Sequence, residues 1–338
     1  MSDNRAAAMS ALGRGLRFLL DTRQPAEHGL PCFWKEFSVF GRSSDEWVTA
    51  YTAAALAETE ISEACDAADT AWQFLTAQRS QIPTGLGYNW EAPRDADSTL
   101  WGCRLTVLLG RTSDDWFRRA IEFMAGPQPP PTTGCLRTDG GIATYPSADC
   151  LTIELRNNTR VATDGWRSSH VCVTAAAAWL TELLSYGDLI GFLTRTQSSR
   201  GCWESYWWTD PEYATAHAVE SLARHDSQRE CIERAAVWLE DCPAGASSFQ
   251  LALRIIGLSA ANPSRADALL AKLLELQLDD GSWASSARMR IPPPNLRNPD
   301  VRWNWNETND GFGGIVVDRA RIFTTATAVR ALTSCLAR

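Results

Sequence analysis

Long apolar runs are missing from this chain of 338 residues. None approaches the roughly 20 residues that cross a bilayer, so no transmembrane segment is expected. The opening residues, MSDNRAAAMS, hold neither a basic stretch nor an apolar core; no secretory leader is expected, and a cytoplasmic location is. Positive charge is also scarce. Thirty-two Lys and Arg stand against 40 Asp and Glu, a formal net charge of −8. Such a chain lacks the cationic footprint of a nucleic-acid binder, so no nucleic-acid partner is expected. Paired cysteines are absent as well. The ten Cys are scattered without a single C-x-x-C, and most fall in Ala- and Leu-rich stretches. Zinc sites draw on ligands at short paired spacing, and disulfide frameworks belong to short secreted chains. The expectation is buried reduced thiols and no cysteine-held metal. Strand patterns are few; LTIELRN, from Leu151, is the best and is short.

What the sequence does hold is apolar bulk, at 45% hydrophobic, and tryptophan, at 15 residues. That composition excludes a disordered or fibrous chain. Many of the Trp lie beside Gly and Asp, outside the helical runs, where they could fill a core, staple a loop or line a cavity.

Internal repeats organise the chain. Four segments share one grammar, a helical run with F-L or L-L, then Gln, a short gap, Gly and an aromatic. They are LRFLLDTRQPAEHGLPCFW to Trp34, WQFLTAQRSQIPTGLGYNW to Trp90, IGFLTRTQSSRGCW to Trp203 and LLAKLLELQLDDGSW to Trp283. RRAIEFMAGPQ and IERAAVWLEDCPAGA keep the helix and lose the aromatic. A small-residue helix follows each copy, predicted at 45–60, 98–110, 168–185, 211–224, 247–260 and 321–336. The first set is amphipathic and suits a surface layer. The second is rich in Ala, Thr and Val, nearly free of charge, and suits helices enclosed by others. Ser43-Ser44-Asp45, Asp97-Ser98, Ser168-Ser169 and Asp210-Pro211 read as starts.

Six helical hairpins can stack openly or close into a double ring. The last helix, ATAVRALTSCLA, is too apolar to cap an open stack. The expected fold is therefore all-α, an (α/α)6 barrel, as one domain over 1–338. Two long connections, 127–166 and 279–319, carry the clusters PQPPPTTG and IPPPNLRNP. They are expected to lie over one mouth, where the inner helices begin.

The Q-x(2–5)-G-x-W copies resemble the QW repeats of squalene–hopene cyclases and related class II terpene cyclases. The likeness runs along nearly the whole chain, and QLDDGSW is its sharpest copy. In GYNWEAPRDADSTLWG, the run Asp95-Ala96-Asp97-Ser98-Thr99 resembles the D-x-D-D motif of that family, with Ser98 in place of its last Asp. The D-x-D-S-T form is similar to the D-x-D-T-T of drimane-type cyclases. The resemblance implies an isomerase- or lyase-type enzyme that starts cyclisation by protonation, with Asp97 as general acid, Asp95 as its partner and His170 supporting the pair.

Physics asks the same of such a site. Protonating an alkene needs a carboxyl still protonated at neutral pH, which neighbouring carboxylates in a buried site favour. The cation then needs aromatic faces and no trapping anion or water. Candidates at the inner-helix starts are Trp47 and Tyr51, Tyr88 and Trp90, Trp166, then Tyr206, Trp207, Trp208 and Tyr213, and finally Trp303, Trp305 and Phe323. His217, mid-helix among alanines, reads as packing. Arg94, Arg160, Arg167, Arg288, Arg290 and Arg302 are candidates to hold a diphosphate. The expected partner is a small hydrophobic substrate, a prenyl diphosphate or a prenylated small molecule. No cofactor is expected for a neutral isoprenoid, with Mg2+ accompanying a diphosphate. Nothing in the sequence specifies an oligomeric state.

Other readings have their own signatures. A zinc prenyltransferase needs an Asp-x-Cys pair and a distant His, whereas Asp149-Cys150 are adjacent. A lanthionine-cyclase-like barrel needs a Cys and a Cys-His pair, which is absent. The remaining alternatives are a cyclase-like barrel that binds a hydrophobic ligand or partner protein, and an acid-assisted cyclisation of a non-terpenoid. An enclosed Asp97 among aromatics favours the enzyme, and an exposed or salt-bridged one favours the binder. Ser98→Asp, which restores the familiar motif, is expected to be tolerated.

Overall fold

Amphipathic and small-residue helices alternate along the chain, as their composition requires. The computed structural model describes residues 2–24, 33–78, 85–126, 134–146, 151, 161–180, 188–225, 228–241, 243–308 and 311–337. The amphipathic set is α1 (Ser2–Asp21), α3 (Ser62–Gln78), α5 (Asp115–Ala125), α7 (Leu189–Thr196), α9 (Arg229–Glu240) and α11 (Asp267–Glu275). The small-residue set is α2 (Glu46–Ala57), α4 (Ala96–Leu108), α6 (Val171–Ala178), α8 (Glu212–Leu222), α10 (Ser248–Ala261) and α12 (Ile322–Leu336). Burial separates them. In α5 only Trp116, Phe117, Ala120 and Met124 are buried, one helical stripe, whereas every residue of α2 is buried.

The small-residue helices pack in order, α2 on α4, α4 on α6, α6 on α8, α8 on α10 and α10 on α12, and α12 returns to α2. Each amphipathic helix lies against this set, and α1 also packs on α11 and α12. The last hairpin thus meets the first, which an open stack would not allow. A carboxylate reinforces that seam. Glu36 accepts hydrogen bonds from the backbone N–H groups of Ala320 and Ile322, both at 3.1 Å, at the start of α12. Burial pushes Glu36 up to about 7.

The Gln-Gly-Trp copies act as staples. The Nε1–H groups of Trp34, Trp203 and Trp283 donate to the carbonyls of Leu19, Leu193 and Leu273, each at 2.8 Å. These carbonyls lie in the last turns of α1, α7 and α11, where intrahelical partners run out. Their backbone N–H groups donate to Thr49, Thr215 and Thr325, the fourth residues of α2, α8 and α12. The glutamines reach sideways, with Gln197 Nε2 donating to the Cys231 carbonyl and Gln277 Nε2 to that of Ala11. Gly201 and Gly281 have φ of +91° and +86°, and a Cβ on either would lie 2.5 Å from a carbonyl of the next amphipathic helix.

The threonine marks a register that the tryptophans alone do not show. Leu86 N–H donates to Thr99 at 3.0 Å and Ile142 N–H to Thr174 at 2.8 Å, so Leu86 and Ile142 stand where Trp stands in the other copies. Trp90 is therefore not the staple of its repeat.

Further departures from the sequence reading concern boundaries and strands. The α4 helix starts at Ala96, two residues before the expected 98, because Asp95 caps it by accepting from Ser98 N–H at 2.7 Å. The α6 helix starts at Val171, three residues after the expected start, and the described part of the chain there ends at Leu180. Short strands form where none was expected. β1 (Glu36–Val39) and β2 (Arg42–Ser44) make a hairpin, while β3 (Arg288–Ile291), β5 (Gly314–Val317) and β4 (Asn306–Glu307) form a sheet in that order within the 279–319 connection. Leu151 lies in no strand, and the rest of LTIELRN falls outside the described residues. The two long connections meet, as Trp166 N–H and Nε1–H donate to the carbonyls of Pro294 and Pro292.

Opposite that mouth, charges fill the axis. Glu58 at the end of α2, Arg104 of α4, Glu220 of α8 and Arg330 of α12 form one buried network with contacts of 2.5–3.0 Å. Burial alone would raise Glu220, but Arg104 and Arg330 hold it well below the ordinary range. His217 packs against Glu220 at 3.2 Å and, through burial, is held down to about 4.

Trp283→Ala removes both the staple and a fully buried ring. It should cost about 3–5 kcal/mol in urea unfolding, and the loss should appear as a lower midpoint at unchanged slope.

Candidate active site

The inner helices begin beneath the connections, and there a cavity of about 380 Å³ opens. Its aromatic walls are Trp47 of α2, Tyr88 before α4, Trp166 before α6, Trp207 and Trp208 before α8, and Phe40 and Phe312 from the loops above. Val39, Leu151, Met289 and Ile291 add aliphatic surface. Asp95, Asp97 and Ser98, at the start of α4, supply the acid group, while Arg42 and Glu91 form an ion pair in the lining.

A second aromatic layer backs this lining. Trp47 and Trp208 rest on Phe323, with centroids 4.9 and 5.3 Å away, and Tyr51 stacks on Phe323 at 4.0 Å. Tyr213 stacks under Trp208 at 4.7 Å and accepts from Trp101 Nε1–H at 3.1 Å. Tyr51 closes the layer through a 2.7 Å bond with Thr327.

The two aspartates differ in their surroundings. Asp95 accepts from Ser98 N–H at 2.7 Å and from Ser98 Oγ at 2.8 Å, which ties it to the helix start. Asp97 is enclosed, its accessible surface faces the cavity, and its Oδ1 is buried without a hydrogen-bond partner. Burial, and after it the charge of Asp95, holds the Asp97 carboxyl well above the usual carboxylate range. Burial outweighs the like-charge repulsion that the motif alone suggested. A protonated carboxyl in a dry aromatic chamber can deliver a proton to an alkene, and the ring faces can stabilise the cation without trapping it.

Solved structures carry the same fold. The chain is 31% identical to a variant of the type II terpene cyclase MstE from Scytonema in complex with geranylgeranyl dihydroxybenzoate, its substrate, over 100% of this chain and 99% of that one, with a TM-score of 0.89. A second MstE variant, in complex with its product merosterolic acid A, is 30% identical with a TM-score of 0.87, over 100% of this chain and 99% of that one. A protein from Actinoplanes is 31% identical over 97% of this chain and 99% of that one, with a TM-score of 0.84. No family model and no curated protein matches the chain. The chain belongs to the type II terpene cyclases.

In this cyclase Asp95, Asp97, Trp47, Tyr88, Trp166 and Trp207 meet in the lining. Tyr51, Tyr213 and Phe323 form the layer behind it. Tyr206 stands behind Trp207, stacked on His170 at 3.7 Å, with its hydroxyl on the Leu296 carbonyl. The ring nitrogens of His170 bind Thr144 at 2.7 Å and the Gly165 carbonyl at 2.9 Å, so His170 reaches the acid helix through Thr144. Three expected residues lie elsewhere. Trp90 is 58% exposed, because Leu86 takes the staple position, and Trp305 packs beneath the guanidinium groups of Arg290 and Arg302. Trp303 is 91% exposed.

The arginine candidates are likewise away from the described lining. Arg167 pairs with Asp164, Arg288 with Glu307 and Arg290 with Asp300, while Arg302 covers Trp305. Arg94 lines no part of the cavity, and Arg160 falls outside the described residues. Sequence reasoning missed Phe40, Phe312, Tyr145 and Thr144, which come from loops and a hairpin with no repeat to mark them. The one available signal was the Thr at the fourth position of α2, α4, α6, α8 and α12, which would have placed Leu86 correctly.

Ser98 is buried and donates to Asp95, so an aspartate there replaces a donor with a third acidic group. Ser98→Asp is still expected to be tolerated as the familiar motif, and its kcat/KM relative to the native protein checks this against the loss of that donor. Asp95→Asn removes the charge that helps to raise Asp97. The alkaline limb of kcat/KM should therefore move to lower pH in Asp95→Asn, since Asp97 would lose its proton earlier. A pH profile of the two proteins checks the sign.

Proposed function

We propose that this cyclase protonates the distal alkene of a prenylated small aromatic molecule, with Asp97 as the acid. The observation that carries the reading is Asp97 in the lining of an aromatic chamber, with its Oδ1 buried and without a hydrogen-bond partner. The proton of Asp97 adds to the terminal double bond, and the cation is attacked by the next alkene, forming a carbon–carbon bond. Each further ring closure repeats this step. The last cation loses a proton, which balances the one supplied and makes the overall change an isomerisation. Trp47, Tyr88, Trp166 and Trp207 face the migrating charge, and Tyr51, Tyr206, Tyr213 and Phe323 hold them in place. Asp95 tunes Asp97, and His170 supports the acid helix from behind.

A prenylated aromatic is favoured over a prenyl diphosphate because Arg42, paired with Glu91, is the one cation among the described lining residues. Support for the class comes from the Scytonema relative, whose substrate is geranylgeranyl dihydroxybenzoate. Mg2+ enters this reading only as the counter-ion of a diphosphate head group. The binder alternative called for an exposed or salt-bridged Asp97, and the enclosure of that residue favours the enzyme.

The same reading takes the architecture to be an (α/α)6 barrel formed as one domain over 1–338. It draws support from the order of helix contacts and from the α12–α2 seam. A cytoplasmic site of action accords with the free, mostly buried cysteines among the described residues and with the lack there of a helix long and apolar enough to cross a membrane.

Incubation with geranylgeranyl dihydroxybenzoate, and separately with farnesyl and geranylgeranyl diphosphates with and without Mg2+, tests the substrate class by product analysis. Turnover of the diphosphates alone would overturn it. Asp97→Asn keeps the size of the side chain but has no acidic proton, and turnover should fall by at least about 10²–10⁴-fold. Near-native turnover by Asp97→Asn would refute the acid assignment.

A further inference from the structure

Thr144 lies in the cavity wall and touches three elements of the site at once. Its carbonyl accepts from the backbone N–H of Ala96 at 2.8 Å, the first residue of the acid helix α4. Its hydroxyl lies 2.8 Å from Trp207 Nε1 and 2.7 Å from His170 Nδ1.

The chemistry of the partners fixes every role. The Gly165 carbonyl, 2.9 Å from His170 Nε2, can only accept, so Nε2 carries the proton. Burial keeps His170 neutral, pushed down to about 3, which leaves Nδ1 as an acceptor. The single hydroxyl proton of Thr144 must then go to Nδ1. Its lone pairs face the indole N–H of Trp207, which can only donate. One directed chain results, from Trp207 through Thr144 and His170 to Gly165. The chain is enclosed by Tyr206 stacked on His170 and by the Trp166 ring 5.4 Å from that of Trp207.

We propose that Thr144 is a positioning residue of this cyclase, holding the start of the acid helix by its carbonyl and the indole of Trp207 by its hydroxyl, so that acid and cation-facing ring keep one relative placement. The inference rests on the reading that a carbocation forms in this cavity beside Asp97. Without the hydroxyl, the indole N–H is left buried and unpaired, or turns and admits water. Either outcome harms the reaction more than it harms substrate binding.

Two measurements test the proposal. The first needs no substrate. In protein labelled with 15N in the indole, the Trp207 N–H signal, assigned with Trp207→Phe, should exchange slowly in the native protein and in Thr144→Ser. It should shift and exchange faster in Thr144→Val. The second uses geranylgeranyl dihydroxybenzoate as the probe. Thr144→Val should lower kcat by about 10- to 100-fold at unchanged KM, and raise the share of water-quenched or partly cyclised products. Thr144→Ser should restore kcat and the product ratio. Thr144→Ala, which also lacks the hydroxyl, should show the same faster indole exchange and product shift if Thr144→Val fails to fold. An unchanged Trp207 signal in Thr144→Val, native kcat and products in that variant, or no rescue by Thr144→Ser would each overturn the assignment. Absence of turnover by the native protein would instead refute the proposed substrate class, while the indole measurement would still decide the role of Thr144.

Discussion

One buried ion-pair network is the interaction on which the rest of this structure depends. It joins Glu58, Arg104, Glu220 and Arg330, drawn from four different inner helices. Four charges in a buried site tolerate one another only in mutual contact, so the network holds α2, α4, α8 and α12 in a single arrangement. The rings of Tyr51 and Trp101 lie against Arg330, with Trp101 also against Arg104, and bridge from the charged layer to the aromatic one.

From that network, layers of decreasing polarity lead to the cavity. In the intermediate layer of Tyr51, Tyr213 and Phe323, the Tyr51 hydroxyl bonds Thr327 and the Tyr213 hydroxyl accepts from Trp101, so the layer offers the chamber mainly ring faces. Asp97 is the exception. It sits in the first turn of α4 with an oxygen that no donor reaches, and burial there opposes ionisation. The same low polarity that would protect a cation from capture also favours the protonated form of Asp97. Asp95 differs, because Ser98 engages both of its oxygens.

The staples connect this chemistry to the outer layer. Each buried Trp joins the carbonyl end of an amphipathic helix to the fourth residue of the following inner helix, which sets where that inner helix begins. Since the cavity is built from inner-helix starts, a staple far from Asp97 helps to determine the shape of the chamber. Leu86 and Ile142 show that the backbone bond to Thr, rather than the indole, is the shared feature, for they keep the first and lack the second.

The sequence by itself determined the alternation of helices, the repeated Gln-Gly-Trp copies, the enclosed nature of the small-residue set and the D-x-D-S-T motif at α4. These features repeat at short spacing, and short spacing is what local helix geometry makes legible. Only the tertiary structure decided that Trp90 and Trp305 stand outside the chamber, that Phe40 and Phe312 help to wall it, and that Thr144 joins Trp207 to His170. It alone brought Glu58, Arg104, Glu220 and Arg330 together. Their separations along the chain follow no period, because helix packing pairs residues through space, and residues that meet between distant helices leave no mark on their neighbours in sequence.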